Sequence, residues 1–292
     1  TDVIVRRIDE DPTAFSELQT GGVNMILYPT QYDIDDVKNG VYEEIRYQTA
    51  PGLYQQLFVF NLDAGSACAD VRVRQAICYA IDKEAMWKGA FESSGYLANT
   101  PASMTQEFME EMPDPYPFDL DKAKELFEEA GYGEGSTLIC CVDNDTYRTT
   151  AYEMLKNNLA KIGITLDVKT GDNATYLGYV TGGVDWDLEI GKSGMMGSMA
   201  KWLRNWWVIF HHGDTASEDF TECQAMMDGI LECFDEEERY ELTQEFAKKF
   251  TEEWCLTYPI RQDEYATLLS ADLNGYSLAG EQINLIEGTL II

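Results

Sequence analysis

Between Asp119 and Ile190 the chain alternates helix-period and strand-like segments, and that alternation constrains its fold more than any other feature. Asp119 stands as an N-cap before Leu120, Ala123, Leu126, Phe127 and Ala130, which recur at three- and four-residue steps until Gly131 stops the helix. Thr137 to Val142 then reads as a strand, and Tyr147 to Ile162 as a helix with Ala151, Met154, Leu155 and Leu159 inward. Ile164 to Val168 alternates as the next strand, followed by a helix over Asn173 to Val180 and a short strand over Trp186 to Ile190. Strands alternating with helices predict an α/β lobe.

The upstream sequence supplies further elements. Val3 to Ile8 is an alternating β-branched run that predicts a strand, and Asp11 as N-cap with Pro12 in the first turn opens a helix striped by Phe15 and Leu18 and ended by Gly21-Gly22. A strand over Val23 to Tyr28, a helix over Tyr32 to Lys38 and a strand over Tyr42 to Tyr47 follow. Leu53 to Asn61 is a nearly continuous apolar and aromatic run, as a buried strand requires. From Asp70, placed as an N-cap, Val73, Ala76, Ile77, Ala80 and Ile81 form the apolar face of a helix. Arg72, Arg74, Gln75 and Tyr79 form its other face, and Asp82 starts a second short helix. Pro101, Pro113, Pro115 and Pro117 make residues 99 to 118 a long loop.

Downstream, Trp202, Trp206, Trp207 and Phe210 lie at helical spacing, which suits an apolar packing face or a ligand-stacking one. Helices are expected over Glu222 to Glu232 and Glu236 to Phe250, the second with acids in its first turn and Lys248 and Lys249 in its last. A strand over residues 254 to 260 follows.

Charge excludes one class of partner. Fifty-two acidic side chains against 21 basic ones give a formal net charge of -31, so attraction to nucleic acid or an anionic membrane surface is not expected. No apolar run approaches the roughly 20 residues that a bilayer-spanning helix needs. His211 and His212 are adjacent and cannot chelate one metal as i, i+4 ligands do. Asp143-Asn144-Asp145 begins like a calcium loop but lacks its later Gly and acid, and is read as a turn. Gly131-Tyr132-Gly133-Glu134-Gly135 fails the dinucleotide fingerprint, and no Gly-x-Ser-x-Gly elbow exists. No catalytic residue, metal ligand or cofactor is therefore expected. Seven cysteines, an odd number without a Cys-x-x-Cys pair, are expected to be thiols, as suits a reducing or anoxic setting.

Several phrases together resemble the family 5 extracellular solute-binding proteins, the oligopeptide-, dipeptide- and nickel-type binding proteins of ABC importers. They are Asp70-Val-Arg-Val-Arg-Gln-Ala76 with Ala80-Ile-Asp-Lys-Glu84, Asp119 to Tyr132, and Asn158 to Val168 followed by Thr175-Tyr-Leu177 and Asp185-Trp-Asp-Leu188. Leu18, Gln19 and Gly21 match a further unit in which Asn24 replaces the usual Asp.

The resemblance implies an α/β, type II periplasmic-binding-protein-like fold of two lobes joined by hinge crossover strands. Residues 1–56 would be a partial first lobe, 57–260 the second lobe and 261–292 the return to the first. The first lobe is expected to be incomplete in this chain, since most of the family's N-terminal part has no counterpart. Phe58, Phe60, Asn61, Tyr258 and Pro259 are implied at the hinge. The segment after Leu188 is implied as a ligand loop, with Lys192, Ser193, Gly194, Met195, Met196, Lys201, Trp202 and Arg204 as candidate contacts. Family members that bind dipeptides carry Gly-Trp and an Asp there, and this chain carries neither. Its Lys192, Lys201 and Arg204 suit an anionic group, Gly191, Gly194 and Gly197 would leave backbone amides open, and the methionines make an adaptable wall.

The implied function is binding of a peptide or other small solute by a monomer, without catalysis, for delivery to the membrane permease of an ABC importer. The implied location is the outer face of the cell membrane, lipid-anchored, or the periplasm. Two other classes stay open from the sequence: a ligand-sensing domain of an intracellular transcriptional regulator, and a carboxylate-based hydrolase.

Overall fold

The computed structural model describes residues 4–63, 65–105, 107–181, 185–194, 218–274, 277–279, 282–284 and 289–290. The chain divides into two units, Thr1–Gly52 with Glu264–Ile292, and Leu53–Asp263. In chain order the elements are α1 (Asp11–Gln19), β1 (Met25–Leu27), α2 (Gln31–Lys38), β2 (Ile45–Phe60), α3 (Val71–Tyr79), α4 (Lys83–Ala90) and β3 (Tyr96–Leu97). Then come α5 (Leu120–Glu129), β4 (Thr137–Asp143), α6 (Thr146–Lys161), β5 (Thr165–Gly171), α7 (Asn173–Thr181), β6 (Leu188–Gly194), α8 (Glu218–Glu232), α9 (Glu236–Lys248) and β7 (Thr257–Ser270).

In the smaller unit, Phe15 and Leu18 of α1 pack with Val37, Ile45 and Leu268. β1 pairs antiparallel with the later part of β7, Met25 opposite Leu269. The strand expected from Val3 to Ile8 is not formed over residues 4–10. Ile4 and Val5 stand in solvent, while Arg6 bonds to Glu17 and Arg7 to Asp9. An alternating pattern makes a strand only where a neighbour supplies backbone partners and a face to bury.

The larger unit carries the α/β alternation. β4 runs parallel to β5 and to β6, and β2 lies antiparallel on the far side of β6. Phe58, Phe60, Leu138, Cys140, Leu188 and Ile190 meet Val73, Ile77, Ile81, Leu155 and Leu159 in its main core. A second core forms where Phe246 and Phe250 pack with Cys223, Met227, Trp254 and Leu256. Strands expected separately over 42–47 and 53–61 are one strand, β2, which runs through Pro51 and Gly52. The division between units falls at Gly52/Leu53.

Asp70, Asp82 and Asp119 start their helices as the sequence signals, each accepting a first-turn backbone N–H, and Asp145 and Asp235, not singled out in the sequence, do the same. The cap expected at Asp11 is not formed: Asp11 is the first residue of α1, after Glu10, whose side chain accepts no cap bond. Gly131 takes φ +86°, the left-handed stop expected after α5. Arg74 departs from expectation. It is buried, not solvent-facing, and donates to the carbonyls of Cys68, Ala69 and Trp254. Buried carbonyls at irregular turns need donors, and a long guanidinium can satisfy three from the edge of an apolar helix face.

Candidate functional site

Parallel strands bring their C-terminal ends to one edge of a sheet, and α/β folds place ligands outside that edge. In the larger unit this edge is formed by Asp143 of β4, Gly171 of β5 and Gly194 of β6, where α6 and α7 begin. β2 is antiparallel, so its early residues reach the same edge: Tyr54 lies opposite Gly194 and Gln56 opposite Lys192.

Lys192 is the outermost side chain of an alternating row. Leu188 and Ile190, four and two residues earlier, are buried in the main core, and the row emerges at Lys192. Its Nζ lies 2.7 Å from Asp263 Oδ2 and 4.5 Å from the centre of the Tyr54 ring. Asp263 also receives Arg261, whose Nη1 is 3.0 Å from Oδ1. Arg261 is fixed in turn, its Nε donating to the Ser94 carbonyl at 2.7 Å and its guanidinium lying over Phe91 at 5.5 Å. Two cations thus share one carboxylate. An arrangement of that charge can accept a second anionic group without burying an unpaired cation.

Arg148 makes the adjoining part of the rim. Its Nε donates to Asp143 Oδ1 at 2.8 Å, Nη2 pairs with Asp143 Oδ2, and Nη1 donates to Gln56 Oε1 at 3.4 Å. Gln56 therefore links the Arg148 pair to the strand position opposite Lys192. Asp145 lies 3.8 Å from Arg148 and also caps α6.

On the opposite face of β6, Glu189 is buried and accepts a hydrogen bond from the Tyr176 hydroxyl. Burial pushes its carboxyl up to about 7, against the Tyr176 hydrogen bond and the positive charge of Arg148, which favour the anion. Gly191 leaves room beside it, since a Cβ there would sit 3.1 Å from the Tyr176 oxygen.

The strand that precedes the expected ligand segment runs further than the sequence suggests, to Gly194. Gly191 to Gly194 are strand residues laddered with Tyr54 to Leu57, not loop residues. The extended backbone continues because β2 offers a long antiparallel partner. Of the candidate contacts, Lys192 faces the rim, and Ser193 and Gly194 are the last residues of β6. Met195, Met196, Lys201, Trp202 and Arg204, with His211 and His212, lie outside the described residues. Phe58, Phe60, Asn61, Tyr258 and Pro259 sit within the larger unit. The chain leaves that unit at Leu53, next to Tyr54, and at Asp263 itself.

Sequence reasoning did not single out Arg148, Gln56, Glu189, Tyr176, Arg261 or Asp263. One signal was available: Glu189 is a lone acid between Leu188 and Ile190 in a buried strand. Among the described residues, no group of three His, Cys, Asp or Glu side chains is placed to hold a metal ion.

Residues 1–225 match the family model described as bacterial extracellular solute-binding proteins, family 5 Middle. The heme-binding protein A of Haemophilus influenzae is 28% identical over 181 residues, which cover 60% of this chain and 32% of that protein. The di/tripeptide-binding protein 1 of Pseudomonas aeruginosa is 28% identical over 208 residues, covering 69% of this chain and 38% of that protein. Among solved structures, HbpA2 from Haemophilus parasuis superposes with a TM-score of 0.84 at 21% identity, over 98% of this chain and 57% of that one. The chain spans about a third of the length of these curated relatives.

Proposed function

This chain belongs to the bacterial extracellular solute-binding proteins of family 5, and from that membership we propose that it helps bind a peptide for an ABC importer. The observation that carries the reading is the rim at the C-terminal strand edge, where Lys192 and Arg261 share Asp263 beside Tyr54. A peptide carboxylate is the kind of group this pair of cations can receive, and its extended backbone suits the strand ends next to it. A peptide-binding relative supports the same choice.

In this proposal the larger unit is the second lobe, expected over 57–260, and the smaller one contributes part of the first. Bending is placed where the chain leaves the larger unit, at Pro51 to Leu53 and at Asp263/Glu264, with Phe58, Phe60, Asn61, Tyr258 and Pro259 anchoring the two strands. Ligand would close the lobes, and its binding free energy would favour the form that the permease recognises. The protein would act as a monomer outside the cytoplasmic membrane, lipid-anchored or periplasmic, and catalyse nothing. No helix among the described residues is long and apolar enough to cross a membrane.

Native mass spectrometry of the protein purified from its own host tests this reading. A co-purifying mass that fragments as a peptide supports it. A heme or metal-chelate mass in its place overturns the peptide assignment.

A further inference from the structure

Cys78 and Cys255 are 177 residues apart in sequence, yet their Sγ atoms lie 3.4 Å from each other in the main core. We propose that these two residues are a disulfide site, closed when the protein folds in an oxidising compartment. A disulfide needs the sulfurs about 2.05 Å apart, a small approach from where they stand. The bond would tie α3 to the turn that leads into β7, joining two distant parts of the chain within one core.

A second observation concerns the backbone. Cys255 adopts φ +46°, in the left-handed region that residues with a Cβ seldom occupy. A glycine would hold that turn without strain, so a cysteine there points to a use for its side chain. The side chain is fully buried and reaches Cys78.

Other roles fit less well. No cluster of three metal-ligating side chains occurs among the described residues. Cys140 and Cys141 are consecutive on β4 and belong to different cores, so they face opposite ways. Cys223 is in the second core and Cys233 donates to the Asp235 carbonyl. Both side chains are fully buried in the finished fold, out of reach of an external disulfide. Closure therefore belongs to the folding chain, before this core is shut.

The oxidant is a disulfide of the exported space, on a protein or a small thiol. One cysteine thiolate attacks it and releases one thiol. The second thiolate then attacks the resulting mixed disulfide and releases the other. The cysteines lose two electrons and two protons in total, and the oxidant is reduced to two thiols. The inference rests on the proposed location outside the cytoplasmic membrane, and not on which solute the protein binds.

The test is alkylation of the full chain under denaturing conditions without reductant, followed by peptide mapping. Protein exported to an oxidising compartment should yield the Cys78–Cys255 cross-linked peptide, with the other cysteines alkylated. Alkylation of all seven cysteines, or a pairing such as Cys68–Cys255, overturns the proposal. As a second measurement, reductant should lower the Tm of the exported protein by roughly 5–10 °C. It should leave a C78A/C255A double variant unmoved, whereas an equal shift in both proteins overturns the proposal. If the variant does not fold, the peptide map of the unaltered protein decides alone.

Discussion

Lys83 Nζ lies 3.3 Å from Asp114 Oδ2, inside a cage that the proline-rich loop closes over α4. The ammonium also donates to the Ala98 carbonyl and to Asn99 Oδ1, and stands 4.0 Å from the Tyr258 ring centre. The Tyr258 hydroxyl donates to the same Asp114 carboxylate. Loop, helix and β7 are thus fixed by one network. Burial holds the Lys83 pKa below its usual value, while Asp114 opposes that shift. Lys83 is 7% exposed and Asp114 26%. Removing the acid is therefore the worse lesion, since it strands a buried cation. Asp114→Ala should cost about 2–3 kcal/mol in urea unfolding, and Lys83→Met less than half of that. Equal losses would show that the charge pair is not what fixes the loop.

Asp187 gives a second prediction. Its Oδ1 accepts from the Ala67 N–H at 2.7 Å and the Ser66 hydroxyl at 3.0 Å, and its Oδ2 from the Ile139 N–H at 2.8 Å. The side chain ties β4 to the turn before α3. Asp187→Ala leaves two backbone donors without a partner in a buried place, which should cost about 2–4 kcal/mol. Hydrogen exchange should speed up first at Ala67 and Ile139, and unchanged protection at both would rule this role out.

The α/β alternation was legible because strands and helices in one lobe obey local periodicities that the chain states residue by residue. Asp70, Asp119 and Gly131 act where the sequence puts them, since caps depend on the nearest few residues. The rim was not legible. Asp263 meets Lys192 only through strand order and register, and nothing near either residue in sequence announces the other. Arg74 was misplaced for a related reason. Its partners Cys68 and Trp254 lie on irregular turns whose open carbonyls no periodicity reveals. Ile4 and Val5 show the converse, a clean strand pattern with no neighbouring strand among the described residues.

Glu189 makes stability depend on pH. Its folded-state value of about 7 lies above the ordinary carboxyl value of 4.5, because burial disfavours the anion. The folded state therefore binds the proton more tightly than the unfolded chain. This contribution is fully present below pH 4.5 and is lost as pH rises through about 7. The window is worth about 3 kcal/mol at most, from the size of the shift. Glu189→Gln, which stays neutral, should lack it. The stability difference between variant and parent should move in favour of the variant between pH 5 and pH 8, and a difference flat with pH would contradict the assignment.

Lys192 separates binding from folding. Its side chain is 40% exposed, so its ion pair with Asp263 should add little to stability, on the order of 0–1 kcal/mol. If the rim receives a ligand carboxylate, the same side chain matters in the complex, where closure removes water and leaves the anion dependent on Lys192 and Arg261. Lys192→Met should therefore lower peptide affinity by roughly tenfold to a hundredfold, on the scale of a charge-assisted hydrogen bond, while shifting the urea midpoint hardly at all. Arg261→Met should weaken binding too, but with a stability loss, because it also gives up its contacts with Ser94 and Phe91. Calorimetric titration of both variants with one peptide distinguishes the roles. Undiminished affinity in Lys192→Met would remove the rim from the ligand site and leave the strand edge as scaffold alone.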